Sequence, residues 1–210
     1  MEGYTVENDG KIHTRYTDLV RCTEGQVLKV AREMLFHKER YNGAATSFGR
    51  TRHEMFADES LDTGRTPQCF QELEVELSVR CIEKEFAMEV FPGVVVHSRT
   101  DAYAPDPQLI IDYKTFTNSG DLEKYKRSKQ HLMYALQLMN IGKGVKGALY
   151  LGEMWDAERE NLLGYGQLEV PISLKDLVEF RNGWLKDRCE RLVVAIDYLK
   201  NNSGIVHNLE

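Results

Sequence analysis

The sequence predicts a layered fold of the α/β or α+β class, in which helices pack on more than one side of a sheet. Three strand-like runs lie between residues 81 and 115, and apolar residues recur at helical spacing before and after them. Strands that alternate with helices in this way bury their faces as stacked layers. The length of 210 residues fits one domain over residues 1–210.

Composition excludes several classes of protein. Mean hydropathy is −0.45, and no apolar run approaches the roughly 20 residues of a membrane helix. The N-terminus has no apolar stretch typical of a secretory signal, and the four cysteines are scattered without a CxxC pair. We therefore expect a soluble, reduced, cytoplasmic protein with no membrane partner. The net charge of −6 argues weakly against a nucleic-acid coat protein but does not exclude a nuclease.

The first third of the chain is mainly helical in pattern. Apolar spacing predicts a helix over residues 17–38, with Thr17 or Asp18 as its cap, and Tyr41-Asn42-Gly43 ends it. A second helix is expected over residues 47–59. The segment 66–80 is ambiguous between helix and strand.

The rest of the chain alternates strands and helices. Strands are predicted at 81–91, 94–104 and 108–115, and turns at Pro92-Gly93 and Pro105-Asp106-Pro107 join them. A long helix over 121–141, strands at 147–152 and 162–170, and a final helix that Pro171-Ile172-Ser173 caps and that ends near residue 200 complete the prediction.

The second hairpin places acidic side chains together. A turn centred between Asp106 and Pro107 pairs positions whose numbers add to 213, so that Asp101 faces Asp112. Directly opposed side chains have Cβ atoms about 4.5–5.5 Å apart, and like charges there need a cation between them. Lys114 lies two residues beyond Asp112 and therefore on the same face. The alternative is an exposed sheet face on which Lys114 pairs with one aspartate.

Three further features are candidates. His53 lies on the second predicted helix, where a surface or packing role is the alternative to a metal ligand. Gln130 and Tyr134 stand four residues apart on the 121–141 helix and share a face. The densest basic cluster precedes them, and it could contact phosphate or form a solvated helical face; it comprises Lys124, Lys126, Arg127 and Lys129.

The order of these residues resembles the RecB-like branch of the PD-(D/E)XK nuclease superfamily, which includes CRISPR-associated and phage-encoded exonucleases. Gly49-x-x-x-His53 comes first, then Asp101, then Asp112-Tyr113-Lys114, then Gln130-x-x-x-Tyr134. The match spans about residues 49–134, and Arg99-Thr100-Asp101 is similar to the Gly-Arg-x-Asp stretch of the family, with Ser98 in place of the glycine. The resemblance implies a restriction-endonuclease-like core with a mixed central sheet flanked by helices.

The resemblance also implies roles. His53, Asp101, Asp112 and the Tyr113 carbonyl would hold Mg²⁺ or Mn²⁺, and the histidine should favour Mn²⁺. Lys114 would orient or activate the attacking water. The acid on the first core strand would be Glu83, although Glu85 and Glu89 share its face. DNA would contact Gln130, Tyr134, Arg99 and the basic cluster Lys124, Lys126, Arg127 and Lys129.

Some relatives bind an iron–sulfur cluster through four cysteines. Cys22 lies near the position of the first, but only Cys189 remains in the C-terminal third. We therefore expect no cluster. The resulting prediction is a metal-dependent DNA exonuclease in recombination, repair or phage DNA metabolism. The alternatives are a structure- or site-specific endonuclease of the same superfamily, a non-catalytic DNA-binding module, and an unrelated α/β protein.

Overall fold

The computed structural model describes residues 10–35, 44–62 and 84–202. Glu83, Tyr41-Asn42-Gly43 and segment 66–80 lie outside this range. The strands are β1 Ile12–Arg15, β2 Lys84–Phe91, β3 Val94–Thr100, β4 Ala102–Ala104, β5 Leu109–Phe116, β6 Gly147–Trp155 and β7 Leu162–Pro171. The helices are α1 Tyr16–Arg21, α2 Val27–Leu35, α3 Ala44–Asp62, the 3-10 helix Ser119–Arg127, α4 Gln130–Asn140, α5 Leu174–Glu179, the π-helix Phe180–Leu185 and α6 Lys186–Asn201.

The larger sheet has four strands in the order β4-β5-β6-β7. Strands β5 and β6 run parallel, while β4 and β7 are antiparallel to their neighbours. Strand β5 is buried along most of its length because it lies inside the sheet, which explains its apolar run Leu109-Ile110-Ile111. The mixed α/β fold class predicted from the sequence is confirmed.

The hairpin register predicted from the sequence is also confirmed. Ala102 pairs with Ile111 and Ala104 pairs with Leu109, so paired positions add to 213. Asp101 precedes the first of these pairs, and Asp112 follows it on the other strand. The turn between the two strands contains a cis peptide bond between Asp106 and Pro107.

The single strand predicted at 94–104 is wrong in one respect, because it divides at Asp101. Strand β3 belongs to a three-stranded sheet in the order β1-β3-β2, with β1 parallel to β3, whereas β4 belongs to the four-stranded sheet. At the division, Asp101 Oδ2 accepts a hydrogen bond of 2.7 Å from the backbone N–H of Tyr113. The side chain of Asp101 thus satisfies a β5 donor just beyond the end of β4.

Two predicted helices are also divided. The helix expected over 17–38 is interrupted at Cys22, whose carbonyl accepts a 2.6 Å hydrogen bond from Arg188 Nη1. The helix expected over 121–141 becomes a 3-10 helix and α4. It breaks at Ser128, whose hydroxyl accepts a 3.1 Å hydrogen bond from the Gln130 N–H, so that a side chain competes with the helical backbone.

The final helix starts as predicted from the sequence. Ser173 and Asp176 form a reciprocal cap, in which the Asp176 N–H donates to Ser173 Oγ at 3.2 Å and the Ser173 N–H donates to Asp176 Oδ2 at 2.9 Å. None of the described helices has both the length and the apolar character that a bilayer span requires.

The chain forms two compact units. Of the described residues, one unit comprises 10–35, 86–98 and 178–202, and the other comprises 44–62, 84–85 and 99–177. The second unit contains the four-stranded sheet, and its core includes Phe56 of α3 packed with Tyr113 and Ile111 of β5. Every site residue that the structure describes lies in this second unit. A single domain over 1–210 stays a prediction.

Candidate active site

The two aspartates and the lysine of the hairpin lie together at the β4–β5 edge. Asp112 is 2% exposed on β5, and its Oδ2 lies 2.7 Å from Lys114 Nζ. Asp101 is also buried, and its Oδ2 accepts the Tyr113 N–H. The period of the strand places Asp112 and Lys114 on one face, as the sequence predicts.

Helix α3 brings His53 to the same place. His53 Nδ1 lies 3.2 Å from Asp101 Oδ1, and its ring meets the Tyr113 ring edge-on with centroids 5.3 Å apart. The histidine is therefore neither a lone surface residue nor an isolated core residue. His97 is elsewhere, since its Nε2 lies 2.8 Å from Nδ1 of His13 on β1.

The electrostatics of the two carboxylates differ. Burial opposes ionisation of Asp101, but the hydrogen bond and charge of His53, together with the charge of Lys114, hold its pKa below the usual value. For Asp112, burial outweighs the attraction of Lys114, and the negative charge of Asp101 adds to it, which raises the pKa to about 6. Two buried carboxylates with divergent pKa values are a common feature of catalytic sites.

Lys114 stays protonated at neutral pH. Burial alone would lower its pKa, but the charges of Asp112 and Asp101 reverse that effect and raise the pKa above its usual value. Its ammonium also lies 5.3 Å from the centroid of the Tyr125 ring, within the range of a cation–π contact. This lysine is therefore a fixed positive charge beside the acids.

An aromatic stack lies next to Lys114. Tyr125 of the 3-10 helix stacks on Tyr150 of β6 with centroids 5.0 Å apart, and the Tyr150 hydroxyl lies 2.9 Å from Nδ1 of His131 on α4. Burial lowers the pKa of His131 to about 4, with the charge of Lys129 adding to the effect. His131 is therefore neutral above about pH 5.

The sequence-predicted pair on α4 is confirmed as a contact. Gln130 Nε2 donates a 2.5 Å hydrogen bond to the Tyr134 hydroxyl. Burial raises the pKa of Tyr134 well above 10, and the charges of Asp112 and Asp101 raise it further. The phenol of Tyr134 is therefore a neutral group in the electrostatic field of the acids.

Neighbouring acids neutralise part of the positive charge of the predicted phosphate-binding residues. All four residues of the basic cluster Lys124, Lys126, Arg127 and Lys129 are exposed. Two of them pair with acids of the same 3-10 helix, Lys124 with Asp121 and Lys126 with Glu123. Arg99 is exposed at the end of β3.

The acidic and histidine side chains predicted as metal ligands do not converge on one point. Across the described ranges, no group of three or more His, Cys, Asp or Glu side chains is placed to hold an ion. His53 and Asp101 face each other, whereas Asp112 faces Lys114. Asp112 Oδ2 is nevertheless a buried oxygen that accepts no well-oriented hydrogen bond in the described part of the chain. Oxygen ligands and one imidazole are a donor set that suits Mg²⁺ or Mn²⁺.

Sequence reasoning missed a second ion pair next to the site, in which the acid is buried and the arginine is partly buried. Arg52, the neighbour of His53, donates from Nε to Glu153 Oε2 at 2.7 Å and from Nη2 to Glu153 Oε1 at 2.5 Å. The signal was present, since Glu153 directly follows the buried run of β6 and an acid there needs a partner. Tyr125 and Tyr150 were missed as well, and their residue types alone gave no signal.

Comparisons with known proteins support the fold. A phage-related exonuclease from Haemophilus somnus has a TM-score of 0.61 at 13% identity, over 92% of this chain and 97% of that chain. The alkaline exonuclease LHK-Exo from Laribacter hongkongensis has a TM-score of 0.56 at 12% identity, over 94% and 95%. LHK-Exo in complex with dAMP gives a TM-score of 0.55 at 12% identity and the same coverage. At these identities the likeness shows the shared fold.

Sequence comparisons add little to this result. No family model matches the chain. The aspartate–tRNA ligase of Clostridium beijerinckii is 34% identical over 91 residues, and that of Clostridium botulinum (strain Eklund 17B) is 31% identical over 91 residues. The match covers 43% of this chain but only 14% of each ligase. Because the match covers so small a part of each ligase, the ligase activity belongs to those proteins and is not assigned to this chain.

Proposed function

We propose that this chain is a divalent-metal-dependent DNA exonuclease of the RecB-like branch of the PD-(D/E)XK superfamily, acting in recombination, repair or phage DNA metabolism. Two side-chain contacts carry the proposal. His53 contacts Asp101, and Asp112 contacts Lys114, both beside strand β5 of the four-stranded sheet. The fold shared with solved exonucleases, one of them in complex with dAMP, supports it.

The residues present fit a divalent cation. Asp101 and Asp112 are buried close enough for the charge of the first to raise the pKa of the second, and a cation between them would remove that repulsion. His53, Asp101, Asp112 and the Tyr113 carbonyl would hold the ion. When bound, Mg²⁺ or Mn²⁺ neutralises charge on the phosphate and makes water nucleophilic near neutral pH.

Lys114 contributes a fixed positive charge. Because its ammonium stays protonated between Asp112 and the Tyr125 ring, it is suited to orient water and to stabilise the negative charge that develops on the phosphate. Removal of a proton from water by Lys114 is less well supported, since its raised pKa keeps it protonated.

Residues of α4 and the 3-10 helix would position the DNA strand. The Tyr134 hydroxyl is fixed by Gln130 near the acids, and the basic cluster with Arg99 is exposed for contact with the phosphate backbone. The additional acid Glu83 stays a prediction, because it lies outside the described residues.

The test is digestion of end-labelled linear duplex DNA with Mg²⁺ or Mn²⁺, beside a closed-circular substrate. The wild type should degrade the linear DNA and spare the circle. Asp112→Asn should lose at least a hundredfold in rate, because it removes a charged ligand. The matched control Asp197→Asn changes an exposed aspartate of α6 and should retain the wild-type rate.

Other outcomes identify the alternatives. Cutting of the closed circle would establish an endonuclease. DNA binding without digestion, insensitive to chelator, would establish a non-catalytic module. Equal digestion by Asp112→Asn and the wild type would contradict the assignment of the site.

A further inference from the structure

Helix α3 packs against strand β5 of the four-stranded sheet. Phe56 stacks on the Tyr113 ring of β5 with centroids 4.7 Å apart and planes 17° apart, and His53 meets the same ring edge-on. At Gly49 a Cβ atom would already contact Thr115 Oγ1 at 3.5 Å. The helix therefore lies directly over β5.

The Arg52–Glu153 ion pair connects α3 to strand β6, the neighbour of β5 in the sheet. Two hydrogen bonds of the guanidinium reach one carboxylate, whose Glu153 side chain is only 4% exposed, and a third runs from Nη1 to Met55 Sδ on the same helix at 3.1 Å. Trp155 Nε1 donates to Glu153 Oε2 at 3.0 Å, and the Arg52 guanidinium lies 5.3 Å from the centroid of the Trp155 ring. A bidentate fork fixes direction as well as distance, because both N–H···O bonds must remain parallel.

We propose that Arg52 is a positioning residue that holds His53 against Asp101. This inference rests on the proposed function, in which His53 is a metal ligand. Successive residues of an α-helix are separated by about 100°, so Arg52 bound to β6 determines where His53 points. A rotation of α3 by about 10° would move the imidazole by about 1 Å. A displacement of that size can cost about a hundredfold in rate.

A purely stabilising role explains the pair less well. Replacing a buried ion pair by apolar side chains of similar size is often neutral or stabilising. Phe56 and Tyr113 already supply apolar contact between α3 and the sheet. The fixed direction of the Arg52–Glu153 pair is the property that apolar packing would not provide.

The experiment compares Arg52→Lys with Arg50→Lys, the same substitution at an exposed position of the same helix. Glu153→Gln is the second variant, because it keeps an acceptor for Trp155 while removing the charge. Four quantities are measured: the NMR cross-peak between the His53 and Tyr113 rings in metal-free protein, the Kd for Mn²⁺ by calorimetry, and kcat and KM on linear DNA. Thermal unfolding reports whether each variant is folded.

Arg52→Lys should weaken the ring cross-peak, raise the Kd for Mn²⁺ about tenfold and lower kcat ten- to a hundredfold, with little change in KM. Glu153→Gln should change the same quantities in the same direction, and Arg50→Lys should change none. If Arg52→Lys and Glu153→Gln lower only the unfolding temperature, with wild-type cross-peak, Kd and kcat, the positioning role is wrong.

Failure of the proposed function gives a different result. A wild type that neither binds Mn²⁺ nor digests DNA would overturn that function. Loss of the ring cross-peak in Arg52→Lys would still show that Arg52 positions His53, and its retention would overturn this inference as well.

Discussion

At the scale of single residues, burial decides which groups in the second unit are charged. Asp112 and His131 are both almost fully buried, and burial raises the pKa of the first to about 6 and lowers the pKa of the second to about 4. In Asp101 and Lys114 the charges and hydrogen bonds of the partners outweigh burial, whereas in Asp112 the attraction of Lys114 does not. The charge of the site therefore depends on pairs and not on single residues.

His131 makes the stability of the fold depend on pH. Its pKa of about 4 in the folded chain lies below the unfolded value of 6.5, so the unfolded chain binds the extra proton between these values. Stability from this group is present above about pH 6.5 and is lost as the pH falls toward 4. The loss is about 3 kcal/mol at 1.36 kcal/mol per pKa unit.

Denaturant unfolding of the wild type and His131→Gln at several pH values between 4 and 7 measures this loss. The comparison is needed because Asp112, whose pKa is raised, changes stability in the opposite direction over part of the same range. The difference between the two proteins should shrink by about 3 kcal/mol between pH 7 and pH 4. A difference independent of pH would show that His131 titrates normally in the fold.

At the scale of elements, strand β6 requires glycine at position 152. A Cβ there would lie closer to Phe116 Cε1 than van der Waals contact allows, and 3.3 Å from the Lys114 carbonyl oxygen. Gly152→Ala should therefore push β5 and β6 apart beside the site, at a cost of about 1–3 kcal/mol in the free energy of unfolding. Strand β7 offers the matched control Gly164→Ala, since a Cβ there meets no atom within 4 Å.

Chemical denaturation of both alanine variants gives the comparison. Gly152→Ala should unfold at lower denaturant concentration than Gly164→Ala, and under the proposed function its rate of DNA digestion should fall because Lys114 is displaced. Equal midpoints for the two variants would show that the Phe116 ring moves aside at no cost.

At the scale of the whole molecule, the features that could be predicted from the sequence are those that local residue patterns determine. The turn residues around Pro107 determine the register that places Asp101 and Asp112 at adjoining positions, and the spacing of Gln130 and Tyr134 determines their contact. The division of the 94–104 strand between two sheets was not predictable, because it depends on the bond from the Tyr113 N–H to Asp101. The break at Ser128 likewise depends on one side-chain hydrogen bond.

The contact between Arg52 and Glu153 lay beyond sequence reasoning for a different reason. The two residues are 101 positions apart, and only the packing of α3 over β5 and β6 brings them together. A buried acid in a strand signals that a partner exists but does not identify it. The same limit applied to the aromatic stack of Tyr125 on Tyr150.

The central claim is that the residues at the β4–β5 edge catalyse DNA hydrolysis. The most direct test compares the rates at which Lys114→Met and Lys143→Met digest linear duplex DNA in Mn²⁺. Both variants remove one lysine, but Lys143 is exposed after α4, whereas Lys114 lies 2.7 Å from Asp112. We predict a loss of at least a hundredfold for Lys114→Met, because it removes the charge beside the phosphate, and the wild-type rate for Lys143→Met. Equal digestion by both variants would contradict the account.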